Sequence, residues 1–84
     1  MAEVSAWRAN DVVVYEVMRE SATALTALLL EVSNDDPSTS VTVGAEIRQL
    51  RSSVLGVDSY DREAISTLDA RIRGRIVELT ESKS

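Results

Sequence analysis

Histidine and cysteine are both absent from these 84 residues, and lysine occurs once, at Lys83. Without histidine, the many Ser and Thr hydroxyls have no imidazole base to activate them, and the commonest transition-metal ligand is missing. Without cysteine there is neither a disulfide staple nor a thiolate ligand, which suits a cytoplasmic chain. Phenylalanine is also absent, and the aromatics are Trp7, Tyr15 and Tyr60 alone, so the core has to be built from Leu, Ile, Val and Ala. Three glycines and one proline leave no Gly-rich phosphate loop. No apolar run approaches the ~20 residues of a membrane span, and the start of the chain lacks the basic-then-apolar pattern of a signal peptide.

The carboxylates offer little more. Asp35 and Asp36 fall in a turn-forming stretch, and Asp61 and Glu63 suit the first turn of a helix, where the dipole favours acids. Asn34-Asp35-Asp36 lacks the spaced acids and closing Glu of a calcium loop. No enzyme activity, no cofactor and no metal are expected.

What the sequence does contain is helical periodicity. Tyr15, Met18, Ala22, Leu25, Leu29 and Val32 recur at spacings of 3, 4, 3, 4 and 3, the period of one helix face seeking another helix. At about 100° per residue, Val14, Val17, Ala24 and Leu28 widen this stripe to about half the circumference. The first helix is predicted over roughly 11–32, with Asn10 or Asp11 as its N-cap. Turn formers from Asn34 to Ser40 then break the chain.

A second helix is expected over 42–55, although Val41, Thr42, Val43 and Gly44 are poor helix formers that could be extended. Val43, Ile47, Leu50 and Val54 form its narrow apolar seam. Gly56 followed by Val57 suggests a left-handed C-cap. A third helix over 59–81, capped by Asp58 or Ser59, carries the stripe Ile65, Leu68, Ile72, Ile76 and Leu79. Both chain ends, before Trp7 and after Glu81, are expected to fray. The fold class is all-α: a three-helix bundle, or a long helical hairpin with a short bracing middle helix, forming a single small domain over residues 1–84. A chain of this length buries about 60–65% of its unfolded surface, which leaves a thin stability margin.

The apolar arc of the first helix is wider than two partner helices require, so part of it is expected to meet another chain. Tyr15, Met18, Leu25, Leu29, Leu30 and Val32 are the candidate interface residues there, Leu30 because it projects on the polar side. Arg75 falls inside the apolar arc of the third helix, with Arg71 one turn before it and Glu78 close by. A guanidinium in that position snorkels, pairs with an acid or meets a ligand's carboxylate or phosphate. Arg71 and Arg75 complete the candidate interface.

Charge is unevenly placed. Net charge is −5, and up to Asp36 there are seven acids against Arg8 and Arg19, whereas the remainder balances seven acids with seven bases. An acidic field repels phosphate backbones and attracts a basic partner surface. Arg48, Arg51, Arg71, Arg73 and Arg75 would form a basic patch only if the last two helices gather them, and the passage from Arg48 to Ile65 makes a poor DNA-reading unit because acids open its second helix. The favoured function is that of a small acidic protein acting by protein–protein contact, as an antitoxin-like inhibitor, adaptor or assembly factor that self-associates as a homo-oligomer. The rivals are a nucleic-acid-associated regulator using the arginines, and a structural component of a phage or virion-like assembly. No membrane partner is expected.

Overall fold

A computed structural model describes the backbone of residues 2–82 and the side chains of residues 13–81. Among the described residues there are three α-helices, α1 (Ala2–Asp35), α2 (Ser40–Gly56) and α3 (Arg62–Ser82), with a 3-10 turn at Pro37–Thr39 between the first two. All three helices pack together as an all-α arrangement, α1 against both of the others.

The first helix starts well before the expected N-cap. Asn10 and Asp11 lie inside α1, because no Gly or Pro interrupts the chain before Pro37 and Ala2, Ala6 and Ala9 favour helix. A capping residue marks a start only where the backbone before it leaves the helix. For the same reason the stretch before Trp7 is helical rather than frayed; the side chains there lie outside the described residues. At 1.5 Å per residue α1 is about 51 Å long, against about 26 Å for α2 and about 32 Å for α3, and the longest dimension of the molecule is 55 Å. The first part of α1 therefore runs past the ends of the two shorter helices.

The break after α1 is tighter than the sequence suggests. The helix continues to Asp35, and Asp36 then caps the 3-10 turn. Asp36 Oδ1 accepts from the Ser38 backbone N–H at 3.2 Å and from the Ser38 hydroxyl at 2.6 Å. Val41 to Gly44 are helical. Their weak propensity is overridden because only a helix buries Val43 with Leu50 against α1.

Two further boundaries differ. Gly56 has no positive φ; the last turn closes instead when extended Val57 donates its N–H to the Ser53 carbonyl at 3.2 Å. The third helix begins at Arg62 and not at 59, since Asp58 is used earlier, accepting the Tyr60 N–H at 2.9 Å to form a turn. The cap is Asp61, whose Oδ1 accepts the Ala64 N–H at 3.0 Å. At the far end the helix reaches Ser82, with Lys83 and Ser84 outside the described residues.

The core is one cluster: Met18, Ala22, Leu25 and Leu29 from α1, Val43 and Leu50 from α2, and Ile65, Ile72 and Leu79 from α3. Gly74 lies outside it on exposed helix, with open space where a Cβ would stand. Gly74→Ala should stabilise the fold by about 0.5–1 kcal/mol through the lost entropy of the unfolded chain, read as a higher urea midpoint at unchanged slope.

Candidate functional site

The arc on α1 divides into two parts with different fates. Its centre, Met18, Ala22, Leu25 and Leu29, is buried against α2 and α3. Tyr15 and Val32 are half-buried and pack onto that cluster. Of the candidate interface residues, Met18, Leu25 and Leu29 are thus covered by the chain itself, and Tyr15 and Val32 are partly covered. Leu30 is 51% exposed.

The edge of the arc stays in solvent. Val13 is 58% and Val17 37% exposed, Ala24 is exposed and Leu28 is half-buried. Val13, Val17, Glu20, Ala24, Leu28 and Glu31 recur at 4, 3, 4, 4 and 3, which places them along one edge of the helix. Val77, also exposed, lies on α3. Sequence reasoning found the width of the arc but not which part would remain open, since that depends on where α2 and α3 sit around α1.

The opposite edge of α1 forms a shallow cleft with α2. It has a volume of about 300 Å³ and is lined by Arg19, Thr23 and Thr26 on one side and by Arg51, Val54 and Leu55 on the other. Thr23 and Thr26 turn their hydroxyls back to the Arg19 and Ala22 carbonyls, so they offer the cleft methyl groups. Leu55 is 80% exposed at its rim.

The last two helices meet through an ionic clasp that the sequence did not disclose. Arg75 Nε donates to Glu46 Oε2 at 2.8 Å, Nη2 to Glu46 Oε1 at 3.0 Å, and Nη1 to Glu78 Oε2 at 3.1 Å. The guanidinium fork thus meets a carboxylate of its own chain, 29 residues away in sequence, and its third nitrogen meets the expected neighbour Glu78. Hydrogen bonding to Glu46 holds Arg75 above its ordinary pKa, outweighing partial burial, so the clasp keeps its cation at any working pH. The Arg75 side chain is still 38% exposed, and solvent screening limits the pair. A double-mutant cycle of Arg75→Met with Glu46→Gln should give a coupling of about 0.5–1.5 kcal/mol in chemical denaturation, lower in high salt.

These placements scatter the arginines. Arg75 is held by Glu46 and Glu78, and Arg73 pairs with Asp69 at 2.9 Å. Arg71 is exposed beside the α2–α3 clefts, and Arg51 lines the α1–α2 cleft on the other side of α2. Among the described residues no helix is long and apolar enough to cross a membrane. No family model matches the sequence, and comparison with curated proteins and with solved structures finds no match.

Proposed function

We propose that this protein works by protein–protein contact and self-associates through the exposed edge of α1. The supporting observation is that edge: Val13, Val17 and Ala24 stand in solvent at helical spacing beside half-buried Leu28, an apolar strip left over after α2 and α3 have covered the rest of the arc. A single exposed Val is ordinary, but a strip aligned on one helix is what a partner helix packs against. A net charge of −5 and the pairing of Arg73 and Arg75 with acids of their own chain favour a protein over a nucleic acid as partner. The reading is of a small cytoplasmic inhibitor, adaptor or assembly factor, with no catalytic role for its unactivated hydroxyls.

The absence of cysteine makes a direct test simple. A nitroxide on Ala24→Cys should be mobile in dilute solution and immobilised at high protein concentration, whereas one on Gln49→Cys, on the α2–α3 side, should stay mobile throughout. Equal mobility of the two labels at every concentration would count against the edge as a contact.

A further inference from the structure

Two surfaces of this chain complement each other. The exposed edge of α1 is apolar and acidic: Val17, Ala24 and Leu28 alternate with exposed Glu20 and Glu31. The α1–α2 cleft is apolar and basic. Arg51 lines it together with Arg19, which pairs with Glu16 at 3.7 Å, Leu55 and Leu30 stand exposed, and Arg48, one turn from Arg51, lays its guanidinium near Gly44 on α2. Arg48 and Arg51 form no ion pair or side-chain hydrogen bond among the described residues, in a molecule whose net charge is −5. Around α1 the edge and the cleft point to opposite sides, so one copy cannot bring its own two surfaces together. The cleft runs from Arg19 to Thr26 along α1, about 10 Å, room for two turns of the edge, such as Val17 to Ala24.

We infer that self-association is heterologous, with the acidic edge of α1 from one copy seated in the basic α1–α2 cleft of the next. The inference rests on the self-association proposed above and specifies its geometry. The occupant is a second copy of this chain because it supplies both halves of the complement, apolar anchors and carboxylates at the spacing of a single helix. Each copy then uses one edge and one cleft, and the assembly grows as a ring or an open chain rather than stopping at a two-fold dimer. The contact between carboxylates and arginines makes it weaken as salt rises.

The test uses two variants and their mixture. Val17→Lys/Ala24→Lys spoils the edge and leaves the cleft intact; Arg48→Ala/Arg51→Ala/Leu55→Ser spoils the cleft and leaves the edge intact. All five positions are solvent-exposed, and far-ultraviolet circular dichroism verifies that each variant folds. Each alone should associate more than about tenfold more weakly than the wild type, while an equimolar mixture forms a complex of one copy of each and no larger. If the cleft variant associates as well as the wild type, the heterologous geometry is overturned and self-association through the edge stands. A mixture that stays monomeric also overturns the geometry. A monomeric wild type removes self-association itself. If wild-type protein instead binds a fluorescent single-stranded oligonucleotide at low salt and the cleft variant does not, the cleft belongs to nucleic acid and the inference fails.

Discussion

Leu29→Asp should leave the chain unfolded at 25 °C, and Leu29→Ala should cost about 2–5 kcal/mol. Leu29 has no solvent-exposed surface and sits where α1 meets both other helices. A carboxylate there would lie in a cluster whose buried members are all apolar, and an unpaired buried charge is far more costly than a cavity. A chain of this size has about 4–13 kcal/mol of total stability, so the alanine variant falls close to the threshold. Its thermal midpoint should drop by roughly 10–30 °C. Met18→Ala, equally buried near the other end of the core, should behave alike. A midpoint within a few degrees of wild type for Leu29→Ala would mean that the three helices do not share one core.

The opposite pattern is expected a short way around the same helix. Val17→Lys with Ala24→Lys should weaken self-association by more than about tenfold, yet move the stability of the folded chain by no more than about 0.5 kcal/mol at each exposed site. Both residues are solvent-exposed, and Lys is a good helix former, so no helical penalty hides the effect. Concentration-dependent light scattering beside a thermal melt separates the two quantities. Loss of association accompanied by an equal loss of stability would show that the edge belongs to the core and not to an interface.

Helix existence and the buried stripes were legible in the sequence because burial imposes its period on the residue pattern. Ile65, Ile72 and Leu79 lie on the face of α3 where their spacing placed them, as do Val43 and Leu50 on α2. Boundaries were less legible, for local reasons. Several polar residues compete for each cap: Asp58 or Ser59 is expected to cap α3 with Asp61 in its first turn, but Asp58 is taken by the turn at Tyr60 and Asp61 becomes the cap. The start of α1 was misplaced because Asn10 and Asp11 resemble a cap, whereas an Ala-rich helical segment precedes them.

The candidate surfaces were legible only in part. The excess width of the α1 arc was visible, but the sequence drew attention to its centre, Met18, Leu25 and Leu29, which the chain covers by itself. Choosing between centre and edge requires the directions from which α2 and α3 approach, and those are tertiary. The partner of Arg75 was hidden for a similar reason. Glu78 is a neighbour by helical spacing, but Glu46 becomes one only when α2 runs antiparallel to α3.

The most direct measurement is sedimentation equilibrium of the unmodified chain over a wide concentration range at low and high salt. The average mass should rise above the 9.2 kDa of one chain as concentration increases, and fall back toward it as salt is added. A mass that stays at 9.2 kDa at the highest concentration and lowest salt would contradict self-association through α1.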